Sequence, residues 1–271
     1  TVRCISSYTL RAKGGSCYYY AGEVGAMTKR GKSWVGTSGW SYMHWIGPFY
    51  APELRPGEFL KYYVERFSTA EINSTFYRLP KAETVRRWRT LAPPCFIYAV
   101  KASRQITHVK RLIDPKDTIP PFLERMSLLE EKLGPILFQL PPSMKFDLER
   151  LGAFLDALDG AYLWAFELRN KSWFDDRTFD LLRRHNAAMC LYDFEGLRPP
   201  EVVTANFIYI RLHGPEVRYR GSYSQQFIES LANKICRWTD DGYDVFCYFD
   251  NDEAGYVAIN ALQLSQLVTR Q

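Results

Sequence analysis

The chain has 271 residues, of which 46% are hydrophobic and 24% charged, a balance typical of a soluble globular protein with a large buried core. Its net charge of +5 permits an anionic ligand but does not require nucleic acid. No apolar run reaches the roughly 18 residues of a membrane-spanning helix. None of the six cysteines forms a Cys-x-x-Cys pair, so we expect reduced thiols and a cytoplasmic protein without a membrane segment.

The first 33 residues differ from the rest of the chain. They contain Gly14-Gly15, Tyr18-Tyr19-Tyr20 and two cysteines, but no sustained periodicity and no apolar region of the kind that a secretory signal needs. Met27, followed by Thr-Lys-Arg-Gly-Lys, resembles a natural start. We therefore expect residues 1–33 to be an N-terminal extension, disordered or outside the native protein, and residues 34–271 to form the folded domain.

From Trp34 onward, apolar runs of strand length alternate with segments of helical periodicity. The predicted strands are 35–40, 69–76, 96–101, 136–140, 162–169, 188–193, 207–214 and 244–252. Helix start signals include Asp147 and Ser224, whose side chains are suited to capping.

Strands that alternate with helices indicate an α/β protein with a parallel sheet. A closed (β/α)8 TIM barrel in a single domain accounts for eight such units. An open, doubly wound sheet is the alternative. No Gly-x-Gly-x-x-Gly follows any predicted strand, which argues against a dinucleotide site.

The stretch Phe207–Gly214 begins with four apolar residues and ends with a polar pair, Arg211 and His213. Alternate side chains of a strand point to opposite faces, so these two share a face. Every other predicted strand also ends in polar or aromatic residues. Along the chain these are Trp40, Glu71, Asn73, Lys101, Gln139, Glu167, Arg169, Asp193, Arg211, His213, Asn251 and Asp252.

In a barrel, the carboxyl ends of the strands converge on one mouth, where barrel enzymes place their active sites. A strand that simply ends at solvent explains any single one of these residues equally well. The complete set favours a site, because charges buried among apolar strands must pair with one another.

Three of these residues suit proton transfer. His213 is the best general acid/base candidate, and Glu71 and Glu167 form a candidate carboxylate pair. A structural histidine with its hydrogen bonds satisfied is the competing interpretation of His213.

The remaining residues suit substrate binding. Cationic side chains hold a carboxylate or phosphate, amides orient it, and aromatic rings stack on a planar part. The predicted substrate-binding residues are Trp40, Asn73, Tyr77, Lys101, Gln139, Arg169, Trp173, Asp193, Arg211, Asn251 and Asp252.

A divalent metal is an alternative use of four of these residues. Oxygen and nitrogen ligands for Mg, Mn or Zn are offered by Glu167, Asp193, His213 and Asp252. The neighbouring Lys and Arg side chains argue against a metal, because they would already neutralise the carboxylates. The pattern therefore leaves the cofactor undetermined.

The strand ends also carry a family resemblance. The phrases are Gly-Thr-Ser-Gly-Trp at 36–40, Glu-Ile-Asn-Ser-Thr-Phe-Tyr at 71–77, Phe-Gln-Leu-Pro-Pro at 138–142, Glu-Leu-Arg at 167–169, Arg-Leu-His-Gly at 211–214 and Tyr-Phe-Asp-Asn-Asp at 248–252. The sequence resembles the DUF72 family, the YecE-like proteins, from about residue 34 to 268. The resemblance implies a TIM barrel and a soluble protein, but no activity. Where the family usually reads Phe-Asn-Asn-Asp near 249–252, this chain has Asp250, which adds a carboxylate.

Three functional hypotheses follow. The first is an enzyme, of the hydrolase, lyase or isomerase type, that acts on a small polar, anionic substrate by acid/base chemistry. The second is a nucleic-acid binding or processing protein, motivated by the basic pI of 8.8 and the 15% aromatic content. The third is a barrel that binds a small-molecule ligand without turnover. The sequence does not determine the oligomeric state.

Overall fold

The computed structural model describes residues 29–194, 196–215 and 217–270. These residues form nine strands: β1 Ser33–Thr37, β2 Thr69–Ile72, β3 Ile97–Lys101, β4 Leu133–Leu140, β5 Trp164–Leu168, β6 Ala188–Met189, β7 Leu191–Asp193, β8 Phe207–Leu212 and β9 Asp244–Phe249. They also form seven α-helices: α1 Phe59–Val64, α2 Ala82–Leu91, α3 Pro115–Met126, α4 Leu148–Asp156, α5 Asp176–Arg184, α6 Gln225–Asp240 and α7 Tyr256–Arg270. Short 3-10 helices and one π-helical turn, Gln105–Val109, occupy several loops.

All the paired strands are parallel and lie in two sheets, ordered β1-β9-β8-β7 and β2-β3-β4-β5-β6. The predicted α/β fold with parallel strands is therefore confirmed. The predicted single closed sheet of eight strands is not shown, because the predicted sixth strand divides at Cys190 into β6 and β7, which belong to different sheets. An isolated parallel bridge between Ser38 and Glu71 links the ends of β1 and β2.

Alternation along the strands separates two apolar layers. Tyr209 and Tyr248 belong to an inner cluster that draws side chains from both sheets. Ile208 and Ile210, which point the other way, pack in a larger outer cluster with helical residues such as Ile228 of α6. The inner face of each strand therefore leads, at its carboxyl end, to the residues described below.

Two helix starts follow the predicted signals. Asp147 accepts a hydrogen bond from the Arg150 backbone N–H at the start of α4, and Ser224 accepts one from the Phe227 N–H at the start of α6. Helix α3 contains Pro120 and Pro121.

The end of the predicted N-terminal extension is part of the fold. The backbone N–H of Gly31 donates to the Thr239 carbonyl, Arg30 pairs with Asp240, and β1 begins at Ser33. Residues 30–33 are therefore ordered, although disorder was one of the two expectations for this segment. The prediction for residues 1–28 lies outside the described residues.

Two further observations concern the expected setting of the protein. In the described parts of the chain, no helix is both long and apolar enough to span a bilayer. In the described parts of the chain, Cys190, Cys236 and Cys247 are buried free thiols.

Candidate functional site

Arg211, on the inner face at the end of β8, is fully buried and organises the polar residues around it. Its guanidinium donates hydrogen bonds to three carboxylates, those of Glu71, Glu167 and Asp250. We call the surrounding group the charged centre; it consists of Ser38, Glu71, Glu167, Arg169, Tyr209, Arg211, His213 and Asp250.

Glu71 binds Arg211 with both of its oxygens. Oε2 accepts from the Arg211 Nε at 2.9 Å and from the Tyr209 hydroxyl at 2.7 Å. Oε1 accepts from Nη2 of Arg211 at 2.8 Å and from the Ser38 hydroxyl at 2.5 Å. With two donors on each oxygen and no solvent exposure, Glu71 is fully occupied in holding the guanidinium.

Glu167 joins the two arginines of the charged centre. Its Oε2 accepts from Nη1 of Arg211 at 2.7 Å, and its Oε1 accepts from the Arg169 Nε. Burial alone would raise the pKa of Glu167, but the Arg169 and Arg211 guanidiniums outweigh it and hold that pKa well below its usual range. Arg169 also lies over the Phe194 ring, 3.9 Å from its centroid.

His213 and Asp250 form the second layer around Arg211. The His213 Nδ1 lies 3.0 Å from Asp250 Oδ2, which also accepts from Arg211 Nη2 at 3.1 Å. The His213 Nε2 faces Arg211 Nη1 at 3.2 Å and Arg169 Nη2 at 3.4 Å. Because guanidinium nitrogens only donate, we assign Nε2 as the acceptor and Nδ1–H as the donor to Asp250. Burial raises the pKa of Asp250, but the Arg211 charge outweighs it and the net shift is downward.

The chain turns sharply after His213. Gly214 has φ +132°, and a Cβ there would collide with the carbonyl oxygens of Val217 and Arg220. The turn lets the Tyr219 backbone N–H donate to the His213 carbonyl, and it brings the Tyr219 ring to 5.8 Å from the imidazole. The loop after β8 therefore covers the histidine.

Lys101 lies beside the charged centre without a partner of its own. It is 7% exposed, and within the described parts of the chain its ammonium forms neither an ion pair nor a hydrogen bond; it lies 4.5 Å from the Phe76 ring centroid. Burial, and then the charge of Arg211, lower the pKa of Lys101 to about 8.

Lys101 is one of several cations around His108. Burial, followed by the charges of Lys101 and Arg169, lowers the pKa of half-buried His108 to about 4. Arg104 and Arg111 act on His108 in the same direction. Protonation of this imidazole is disfavoured because cations surround it, and the same field would attract an anion.

Asp193 and Asp252 were predicted to complete a self-paired charge ring, and the structure places both elsewhere. Tyr192 packs in the inner cluster, so alternation turns Asp193 outward, where it accepts a hydrogen bond from Arg198 at 3.0 Å. Asp252 follows the strand in a helical conformation and pairs with the Trp45 indole N–H at 2.6 Å. Burial raises the pKa of Asp252.

The four groups predicted as alternative metal ligands are therefore not brought together. Glu167 and His213 lie in the charged centre, whereas Asp193 and Asp252 do not. Across residues 29–194, 196–215 and 217–270, no three His, Cys, Asp or Glu side chains are arranged to hold a metal ion.

Two other predicted binding residues serve the packing of loops. Asn251 also points outward, and its Nδ2 donates to the Gly221 carbonyl and to Asn260 of α7. Trp173 is fully buried, and its indole N–H donates to the Met144 carbonyl at 2.8 Å. Neither side chain reaches the charged centre.

Gln139 is on the inner face, in register with Glu167 of the neighbouring strand. It is 4% exposed, and its Nε2 donates to the Leu140 carbonyl at 3.1 Å. It borders the charged centre, and among the described residues it forms no hydrogen bond with any member of that centre.

Trp40, Asn73 and Tyr77 lie together, but in a different place from the predicted one. Strand β2 ends at Ile72, and Asn73 adopts a helical conformation with φ −88° and ψ −24°, so strand alternation no longer applies to it. A cavity of about 640 Å³ beside helix α2 has these three residues in its wall. We call it the rim pocket and define it by Trp40, Tyr42, Asn73, Tyr77, Arg87 and Trp88.

Three members of the charged centre were not predicted from the sequence. Ser38 and Tyr209 carry no charge, and only their positions at the end of β1 and on the inner face of β8 give a signal. Asp250 did give a signal in the sequence, because it is an additional carboxylate at a position where the DUF72 family usually has an amide. Applying alternation backward from Asp250 through Tyr248 would have placed it inward and Asn251 outward.

Comparison with known proteins now identifies the family. The family model for a protein of unknown function, DUF72, matches residues 34–271. The chain belongs to the DUF72 family. The predicted membership is thus confirmed over nearly the whole folded region.

Two bacterial proteins are similar to the chain in sequence. It is 33% identical over 143 residues to the UPF0759 protein YecE of Escherichia coli, a match that covers 52% of this chain and 50% of that protein; the chain thus spans about half the length of that relative. It is 25% identical over 269 residues to the UPF0759 protein YunF of Bacillus subtilis, covering 87% of this chain and 94% of that one.

A solved structure of a DUF72 family protein from Thermotoga maritima superposes with a TM-score of 0.79 at 30% identity, covering 88% of this chain and 99% of that one. An Enterococcus faecalis DUF72 protein gives a TM-score of 0.75 at 20% identity, with 88% and 95% covered, and supports the fold alone.

Proposed function

We propose that this DUF72 protein is an enzyme that acts on a small anionic substrate by acid/base chemistry at the carboxyl ends of its strands. The observation that carries the proposal is Lys101. Its ammonium is nearly buried, and the three carboxylates of the charged centre are already bound by Arg211 and Arg169. A buried cation that has neither an ion pair nor a hydrogen bond among the described residues, and only the Phe76 ring beside it, is suited to an anion supplied by a ligand.

Lys101 also suits proton transfer. A pKa of about 8 lets one side chain donate and accept a proton close to neutral pH. Asp250 uses Oδ2 for Arg211 and His213, and no residue in the described ranges donates to its Oδ1. In the proposed site, Oδ1 orients the substrate, Arg169 and Lys101 hold its anionic group, and Lys101 exchanges the proton.

The remaining members of the charged centre hold the substrate-binding side chains in place. Glu71 and Glu167 were predicted as an acid/base pair, but their oxygens are occupied by guanidinium and hydroxyl donors. We assign them the task of fixing Arg211 and Arg169. His213, hydrogen-bonded to Asp250 and fully buried, fixes the carboxylate that faces the substrate.

We also propose that the two sheets close into one barrel. The Ser38–Glu71 bridge supports closure at one seam, and continuous chain through Cys190 supports it at the other. The Cys190 backbone N–H donates to the Phe166 carbonyl of β5, which continues the ladder across the division. An experimental structure with β1 and β2 separated by solvent would contradict closure.

The enzyme proposal is tested first by ligand screening. Phosphorylated and carboxylated metabolites are scored by the shift in melting temperature, and each hit is then incubated with the protein and followed by mass spectrometry. We expect the shifts of true ligands to disappear in Lys101→Met and Arg169→Met. Lys61→Met, which removes an exposed lysine of α1, is the matched control and keeps them.

Turnover should follow the protonation of Lys101, with an apparent pKa near 8 in the rate profile, and should be lost in Lys101→Met. Hits that shift both variants as they shift the wild type would reject the site. A ligand that binds through Lys101 but is never converted would favour the non-catalytic binding hypothesis.

Nucleic-acid binding is a second candidate, favoured by the loops after β3 and β8. These loops carry exposed apolar side chains, Val109 and Ile113 in one and Val217 in the other, beside Arg104 and Arg111. Cationic and apolar groups together suit a single strand. Binding to an oligonucleotide that weakens steeply with salt would support this candidate, and no retention at low salt would reject it.

A further inference from the structure

The rim pocket is a cavity of about 640 Å³, which is within the range of small-molecule sites. It lies beside the charged centre: Tyr42 lines it, while the hydroxyl of the same residue donates to the Ser38 carbonyl at 3.1 Å. We propose that the rim pocket is a second ligand site, for a planar heteroaromatic ring that carries an N–H donor and an anionic substituent.

The aromatic wall supports a planar ligand. Trp40 and Trp88 meet edge to face, with ring centroids 5.6 Å apart and an interplanar angle of 88°. Tyr77 is 71% exposed at the opening, an unusual state for a large aromatic side chain. Such rings present apolar faces and edges on which another ring packs in offset or T-shaped geometry.

The Asn73 amide supplies the polar recognition. Its Oδ1 is buried without a hydrogen-bond partner, and no described residue bonds its Nδ2. Buried polar atoms in native proteins nearly always have a partner, and a rotation of the Asn73 amide toward the cavity that this residue lines would let its acceptor take a donor from a ligand. An amide presents one acceptor and one donor side by side, which matches the paired N–H and ring-nitrogen edge of a heteroaromatic base.

Trp40 offers an independent donor. The side chain is 8% exposed, and its indole N–H has no hydrogen-bond partner within the described ranges. Indole nitrogen is a donor only, so a ligand acceptor would satisfy it. Two polar groups from different loops therefore lack partners in the wall of one cavity.

Arg87 of α2 accounts for the anionic substituent. The side chain is exposed, and among the described residues its one hydrogen bond is a long one of 3.5 Å to the Gly57 carbonyl. Glu83 also lines the cavity and is one turn away on the same helix, where its carboxylate can accept from a ligand hydroxyl or amine. Arg87 is thus the cation available to a carboxylate or phosphate on the ring.

The test uses titration of the full chain with AMP, GMP, CMP and UMP, the corresponding nucleosides and inorganic phosphate, followed by tryptophan fluorescence and calorimetry. We expect saturable binding of at least one nucleotide below about 1 mM, a weakening of at least about tenfold in Asn73→Leu, and weakening of the nucleotide but not the nucleoside in Arg87→Ala. Arg86→Ala, which removes the neighbouring exposed arginine outside the pocket, should bind like the wild type.

This inference does not depend on the proposed function. Lys101→Met, which disables the charged centre, should leave nucleotide binding in place. Failure of every probe to saturate at millimolar concentration would overturn the inference, and so would wild-type affinity in Asn73→Leu and Arg87→Ala. Circular dichroism and the melting temperature of each variant exclude loss of folding as the cause.

Discussion

Arg211→Met provides the sharpest test of how the charged centre is held together. The change keeps an apolar chain of similar length but removes a guanidinium that bonds three buried carboxylates. Among the described residues, Glu71 would lose its only ionic partner, and Glu167 would keep Arg169 as its one guanidinium partner. Removing one partner of a buried ion pair costs roughly 3–5 kcal/mol, because the other charge stays buried. We expect at least this loss in the free energy of unfolding at pH 7.

Urea denaturation followed by circular dichroism measures the loss. Arg183→Met is the matched control, since Arg183 pairs with Asp180 on the surface and such pairs contribute only about 0–1 kcal/mol. The deficit of Arg211→Met should shrink at low pH, where the stranded carboxylates can be protonated. A loss below about 1 kcal/mol at pH 7, equal to that of the control, would refute the reasoning.

Other measurements test the same region. The folded pKa values of Glu167 and Asp250 lie below their usual range, so the unfolded chain binds more protons in acid. Their stabilisation is therefore present above the unfolded pKa of about 4 and is lost as the pH falls through the lower folded pKa values. Urea midpoints measured against pH should show this loss, and the loss should be less steep in Glu167→Gln. The folded pKa of Lys101 is lowered from 10.5 to about 8, so the free energy of unfolding should rise with pH between these values. Lys101→Met should abolish that rise and should be more stable than the wild type at pH 7 by about 1–3 kcal/mol. A destabilised variant would contradict this reasoning. Because Asp193 and Asp252 lie outside the charged centre, removal of metals with EDTA should leave the melting temperature unchanged, whereas a stoichiometric metal found by elemental mass spectrometry would contradict this.

Periodicity sufficed for the parallel α/β fold because the hydrophobic pattern of a buried strand is local. It also placed Glu167 with Arg169, and Arg211 with His213, since alternation within one strand fixes both pairs. These pairs lie in the charged centre together with Glu71.

Two kinds of error arise at the strand ends. Asn73 was predicted to lie at the same mouth as Glu71, but it has a helical backbone and lines the rim pocket instead. Asp252 lies outside the charged centre for the same reason, since its backbone is also helical rather than extended. Asp193 and Asn251 were misplaced although their strands are regular, because alternation was not carried through to the last residue. Pairing partners such as Arg198 come from loops, whose conformation the pattern does not determine.

The distribution of unpartnered polar groups links the two proposed sites. Burying a polar atom without a hydrogen bond destabilises a fold, so a group that stays unpartnered calls for a reason. Lack of a partner alone does not mark a site, because Thr178 Oγ1 and Asn251 Oδ1 are also buried without one, and neither lines the rim pocket or contacts the charged centre. Asn73 differs because the residue lines a cavity with an aromatic wall. Lys101 differs because its cation lies beside carboxylates that already have other partners. In both places the missing partner is of a kind that a ligand can supply, an N–H donor in the first and an anion in the second.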